Sequence, residues 1–284
     1  MNYRAQLVGV FGDPVDENPT GVMEEAAFAA MGLHFRYLTL LVRPQDLTAA
    51  MQAVRALNLR GINLTIPHKV AAVACMDTLS EAAAIIGAVN VVVNKDGRLL
   101  GDNTDGKGFL SSLADAGIPV ADKNLTVLGA GGASRAICVE CALAGAKTVR
   151  VANRNQERGS ALVSLLNQKT EAHAEYLPWN GVLTIPADTD ILVNATSVGL
   201  APHTDQRPDI DYQGITGAMA ACDVVFNDPN TLFLRAAADR GARTVNGLGM
   251  LAQQGALNFA MWTQEEAPLQ VMEEVLRREF RLPG

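Results

Sequence analysis

Residues 125–136 read LTVLGAGGASRA, a short apolar strand that runs into a glycine turn and then into a helix. Gly129 lets the chain turn sharply at the strand end, and Gly131 and Gly132 keep side chains out of the way of an approaching pyrophosphate. A helix beginning near Ala133 points free N–H groups back at the turn, and small Ala136 allows that helix to lie close to a sheet. The segment therefore predicts a phosphate cradle made of Gly129, Ala130, Gly131, Gly132 and Ala133, set in a parallel, Rossmann-like α/β domain.

The next strand, 148–152, ends at Asn153 and Arg154, where a site that reads NAD usually carries an acid against the ribose hydroxyls. Arg154 and Arg158 offer two guanidinium groups and no carboxylate at the decisive position. That suits a 2′-phosphate, so NADP is expected ahead of NAD. The alternative is a solvated i,i+4 helical face in which both arginines sit with Glu157.

A chain of 284 residues, 49% hydrophobic and 19% charged, can bury two cores. No apolar run approaches the ~18 residues that span a bilayer, and the N-terminus lacks the pattern of a signal peptide. A cytoplasmic protein with no membrane contact is expected. A formal net charge of −7 with no basic stripe argues against a nucleic-acid partner. The four cysteines make no disulfide framework. Cys138 and Cys141 fall inside the helix after the glycine turn without a second ligand pair, so they read as buried small side chains and no metal is expected. A monomer and a homodimer are both open.

Ahead of the cradle the chain alternates QLVGVF, a helix over 23–31, HFRYLTLLV, a helix over 45–57 and GINLTI, an α/β rhythm. VNVVVN and RLLG flank Lys95-Asp96-Gly97, a hairpin signal that places one antiparallel strand in an otherwise parallel sheet. A helix over 106–116 and a link at 118–123 lead into the cradle, and apolar runs at 148–152, 190–194 and 222–226 follow as buried parallel strands. Beyond Gly247 only helices are expected, at 250–262 and 268–278.

NLTIPHK (63–69), GAVN (87–90), DNTDG (102–106), GAGGASRA (129–136), NATSVGL (194–200) and NGLGMLAQQGALNFAMW (246–262) come in an order and spacing that resembles the shikimate dehydrogenase family nearly end to end. The resemblance implies an N-terminal mixed αβα substrate domain, residues 1–106 plus 247–284, and a Rossmann-like NADP-binding domain, residues 107–246. The C-terminal helices then return to the first domain, with substrate in a cleft between the two. It implies hydride exchange between NADP and a ring carbon of 3-dehydroshikimate/shikimate or 3-dehydroquinate/quinate. Lys69 matches the catalytic lysine and Asp105 its partner. An ammonium beside a developing alkoxide stabilises and protonates it, and a neighbouring carboxylate tunes the lysine for the reverse direction. Asn90, Thr65 and Gln254 match positions that hydrogen-bond ring hydroxyls. Thr196 and Gly247 join the cofactor set. His68, beside the lysine, is expected to point elsewhere.

The family pattern near residue 12 is His-Ser-x-Ser-Pro, whose serines hold the substrate carboxylate. This chain reads GDPVDENPTG, with Glu17 for the histidine, Asn18 and Thr20 for the serines and Gly21 for the proline. Phe226 stands where a tyrosine is usual. Asn18 and Thr20 can still donate hydrogen bonds, but Asp16 and Glu17 bring negative charge toward an anionic ligand. A ring carboxylate remains the leading substrate. The alternatives are a different or amino-substituted cyclitol acid, and a non-catalytic NADP-binding sensor.

Overall fold

The structure, a computed structural model, describes residues 3–282. The chain divides into two compact units, Met1–Thr104 with Ala252–Gly284, and Asp105–Leu251.

In the first unit strand β1 (Gln6–Gly12) is followed by helix α1 (Thr20–Ala30), β2 (Phe35–Leu41), α2 (Leu47–Ala56), β3 (Gly61–Leu64), the short α3 (His68–Ala71), β4 (Thr78–Leu79), α4 (Glu81–Ile86), β5 (Val91–Lys95) and β6 (Arg98–Asp102). The strands form one sheet in the order β2-β1-β3-β5-β6-β4. Only β5 runs against its neighbours, pairing antiparallel with both β3 and β6. The hairpin turn explains this: Asp96 at φ 52° and Gly97 at φ 85° give the two left-handed residues that match strand twist. Asn94 Oδ1 braces the turn by accepting from Gly97 N at 2.9 Å. Helix α2 buries Leu47, Met51 and Val54, one stripe at helical spacing, into a core with Phe11, Ile62, Leu64, Val92 and Leu99.

The second unit runs α5 (Asp105–Asp115), β7 (Asn124–Leu128), α6 (Gly132–Leu143), β8 (Thr148–Asn153), α7 (Gln156–Lys169), β9 (His173–Pro178), β10 (Ile191–Asn194), β11 (Ala220–Asp223), α8 (Leu232–Ala238) and β12 (Arg243–Val245). Its sheet is parallel throughout, in the order β12-β11-β10-β7-β8-β9. That is the doubly wound order, with its reversal between β7 and β10. Helix α9 (Gly247–Thr263) passes from the second unit to the first after Leu251, and α10 (Leu269–Glu279) follows it.

Several boundaries differ from the sequence reading. Helix α1 starts at Thr20, earlier than expected, because Asn18 Oδ1 accepts from Thr20 N at 3.0 Å and starts the turn. A 3-10 turn, Pro44–Asp46, replaces the first turn of α2. The run expected at 222–226 is a strand only to Asp223, since Asp223 Oδ1 accepts from Val225 N at 3.1 Å and takes the chain out of the ladder.

Candidate active site

At the reversal point of the second sheet, the turn after β7 faces the turn after β10. Gly129 sits at φ 106°, and a Cβ there would lie 3.0 Å from Ala195 O and 3.2 Å from Thr196 Cγ2. Only glycine makes that turn without strain. Ser134, buried, ties the turn down by donating to Gly129 O at 2.6 Å. Gly131 and Gly132 have open space where a side chain would begin, both are exposed, and no side chain caps α6. Ala130 and Ala133 are half-buried beside them. This uncapped helix start with nothing in front of it fits a pyrophosphate.

Asn153 ends β8, and Arg154 and Arg158 follow it. Asn155 caps α7 by accepting from Arg158 N at 2.9 Å, so Arg154 precedes the helix and the i,i+4 helical face does not form. Asn153 Nδ2 donates to Asn155 O at 2.8 Å. The Arg154 guanidinium lies over the ring of Trp179, 5.4 Å from its centroid. Trp179 is buried, with Nε1 donating to Asp209 O at 2.9 Å. An exposed arginine is thus held against a fixed ring, ready for an anion. Thr196 Oγ1 donates to Asn194 Oδ1 at 2.6 Å, while Gly247, buried, donates to Val225 O at 3.2 Å.

In the first unit, the register places Thr20, Thr65, Lys69, Asn90 and Asp102 at one edge of the sheet: after β1, after β3, before antiparallel β5 and at the end of β6. Thr65 N donates to Phe11 O at 3.0 Å, and Val89 N donates to Lys69 O at 2.8 Å, which fixes α3 at that edge. Lys69 is half-buried, as is Asp105, the first residue of α5. His68 is buried with Nε2 2.7 Å from Val42 O. A carbonyl only accepts, so that nitrogen carries a proton and is turned to the backbone.

A continuous run of neutral hydrogen-bonding groups crosses this edge. The Thr20 hydroxyl bonds to Tyr37. Tyr37 Oη donates to Asn63 Oδ1 at 2.9 Å, and Asn63 Nδ2 donates to Asn90 O at 3.1 Å. Asn90 Nδ2 donates to Thr104 Oγ1 at 3.0 Å and its Oδ1 accepts from Thr104 N at 2.8 Å. Thr104 Oγ1 donates to Asn258 Oδ1 at 2.7 Å, and Asn258 Nδ2 to Gln254 Oε1 at 3.1 Å. Every member is buried. Asn18 stands half-buried before Thr20, its oxygen spent on the helix start.

Tyr37, Asn63, Thr104 and Asn258 escaped the sequence reading. So did Glu24, which is fully enclosed with neither carboxyl oxygen hydrogen-bonded. Burial raises its pKa well above the usual carboxylate range, and its charge would raise that of Tyr37. Five polar residues scattered along the chain give no periodic signal, and Thr104 and Asn258 meet across 154 positions.

Models of the shikimate dehydrogenase substrate binding domain, of shikimate / quinate 5-dehydrogenase and of the shikimate 5′-dehydrogenase C-terminal domain match residues 10–92, 112–204 and 247–277. The NADP(+) shikimate dehydrogenase of Desulforamulus reducens is 40% identical over 282 residues, 98% of this chain and 97% of the relative. The chain belongs to the shikimate dehydrogenase family. It is an oxidoreductase of that family, and its fold is shared by solved members. Shikimate 5-dehydrogenase of Listeria monocytogenes, in complex with shikimate and NAD, is 33% identical with a TM-score of 0.91, covering 97% of this chain and 98% of that one. Ligand-free 5-ketofructose reductase of Gluconobacter sp. strain CHM43 is 40% identical with a TM-score of 0.95, covering 98% and 100%. Among the described residues no helix is long and apolar enough to cross a membrane.

Proposed function

We propose that this chain interconverts a ketone and a secondary alcohol on a small polyhydroxylated substrate, with NADP as cofactor, Lys69 as the acid–base group and Asp105 as its partner. The observation that carries this reading is Lys69 standing at the same sheet edge as the run of hydroxyls and amides from Thr20 to Gln254. That edge offers one cation among neutral groups that both donate and accept, which is what a carbonyl in a polyol needs.

Gly129, Ala130, Gly131, Gly132 and Ala133 hold the pyrophosphate, Arg154 and Arg158 the 2′-phosphate, with Asn153, Thr196 and Gly247 alongside. When bound, the reduced nicotinamide supplies hydride to the ketone carbon. The Lys69 ammonium stabilises negative charge at the carbonyl oxygen and delivers a proton there; in the oxidative direction the neutral amine removes it. Asp105 orients the lysine. Asn18, Thr20, Thr65, Asn90 and Gln254 orient the remaining hydroxyls. The chain works in the cytoplasm, where its four free thiols stay reduced.

The ring acids shikimate and quinate lead, because the family relatives carry their names. A keto-sugar is the second reading, favoured by the likeness to 5-ketofructose reductase. NADPH oxidation with 3-dehydroshikimate, 3-dehydroquinate and 5-ketofructose tests the assignment. Turnover of at least one is expected, and none with NADPH bound would sink it.

A further inference from the structure

Asp223 ends β11 and is buried, level with Asn194 at the end of β10 and, through it, with Leu128 at the end of β7. The turns that follow these three strands rise side by side from the edge where a doubly wound sheet takes its ligand. One carboxyl ties them together. Its Oδ1 accepts from Asn194 Nδ2 at 3.0 Å and from Val225 N at 3.1 Å, and its Oδ2 accepts at 2.7 Å from Thr231 Oγ1, the hydroxyl that caps α8.

Asn194, fully buried, carries the tie onward. An amide can present either end, and a carboxylate, which only accepts, selects the nitrogen. The Asn194 oxygen thereby faces the next turn, where it accepts from Thr196 N at 3.2 Å and from Thr196 Oγ1 at 2.6 Å, while Nδ2 also donates to Val198 O at 3.2 Å. Thr196 packs against the glycine cradle, since a Cβ on Gly129 would lie 3.2 Å from Thr196 Cγ2. On the other side, the bond to Val225 N bends the chain out of β11, and Gly247 lies on that bend. Gly247 N donates to Val225 O at 3.2 Å, and a Cβ on it would come 2.5 Å from the same oxygen. Gly129, Thr196 and Gly247, all assigned to the cofactor, thus take their places from a group that is not among them.

Burial outweighs the three neutral donors and lifts the Asp223 pKa to about 6, so the carboxyl is charged at neutral pH at a cost to stability. Folded chains carry such local costs chiefly at functional sites. Resting on the cofactor assignment proposed above, we infer that Asp223 is a positioning residue for NADP: by holding the Asn194 amide one way round it sets the turn of Thr196 against the phosphate cradle, and by holding Val225 it sets the seat of Gly247. The bond to Thr231 serves α8 alone.

The experiment measures Kd for NADPH by fluorescence titration, and the melting temperature without ligand, on the full chain. Asp223→Leu and Asn194→Leu should each raise Kd at least ~10-fold, a loss within the range that misplacing a supporting group causes. The double variant should bind no more than ~3-fold worse than the weaker single one, because the two residues act as one unit. Asp223→Asn keeps an oxygen for Asn194 and Val225 and turns its nitrogen to Thr231 Oγ1, so its Kd should stay within ~3-fold of wild type. Thr231→Val supplies the contrast: it removes the bond that leads away from the cofactor, and should lower the melting temperature with Kd within ~2-fold of wild type. A Kd unchanged in folded Asp223→Leu and Asn194→Leu, or raised as far by Thr231→Val, makes Asp223 a part of the fold only and overturns the inference. Should the leucine variants not fold, Asp223→Ser decides, as its hydroxyl is too short to hold Asn194, and the same ~10-fold rise is expected. No NADPH binding by wild type overturns the cofactor assignment itself, and the inference with it.

Discussion

Arg154 and Asp223 show how single residues acquire chemistry from their neighbours. Arg154 is exposed, yet the Trp179 ring beneath it limits where its guanidinium can go. Arg154→Ala should raise KM for NADPH at least ~10-fold and change KM for NADH little, since only the former carries the 2′-phosphate. Equal effects in steady-state kinetics would return Arg154 to a structural role. Asp223 accepts from Asn194 Nδ2 at 3.0 Å, Val225 N at 3.1 Å and Thr231 Oγ1 at 2.7 Å, but burial outweighs these donors and lifts its pKa to about 6. The folded state thus holds this proton more tightly than the unfolded chain does. Its contribution to stability is greatest in acid, falls as pH rises from the ordinary aspartate range to about 6, and is level above that. Urea unfolding should show wild type losing more stability than Asp223→Asn between pH ~4 and ~7; parallel curves would mean an unshifted carboxyl.

Among elements, the contact of α5 with α6 depends on Gly106. A Cβ there would collide with Ala136 O and come 2.7 Å from Glu140 Cγ, so Gly106→Ala should cost ~1–3 kcal/mol as overpacking, read as a lower urea midpoint at constant slope. A midpoint unchanged from wild type would show that α5 can move aside. Elements with local signals were legible in the sequence: the Asp96-Gly97 hairpin, the glycine turn, β7, buried from Leu125 on, and the fully buried β10. Strands β9 and β12 were not, because both lie at sheet edges, and only Ala174 of β9 is buried. An edge strand half in water has no apolar run to read. The end of β11 was also missed, since it is set by a side-chain-to-backbone bond rather than by hydrophobicity. The face Gly106 presents to α6 follows from packing between helices.

For the molecule, the candidate cofactor and proton-transfer residues could be named from contiguous motifs, which are local by construction. Of the network from Thr20 to Gln254, Thr20, Asn90 and Gln254 could be named in this way, but Tyr37, Asn63, Thr104 and Asn258 could not, because they meet those residues only after folding, and the enclosed carboxyl of Glu24 looks in sequence like one more acid in an acidic chain. NADP+ should raise the melting temperature more than NAD+ at equal concentration, since a ligand that binds only the folded state stabilises it in proportion to RT ln(1 + [L]/Kd). Equal shifts would mean that Arg154 and Arg158 do not read the 2′-phosphate. The most direct test of the mechanism is Lys69→Ala, with NADPH oxidation on a turned-over substrate and NADPH affinity by fluorescence titration measured on one preparation. Turnover should fall by roughly 10²–10⁴-fold, the range that general acid–base groups contribute, with NADPH affinity within about 2-fold of wild type. Turnover that survives, or NADPH binding that collapses, would contradict Lys69 as the proton donor.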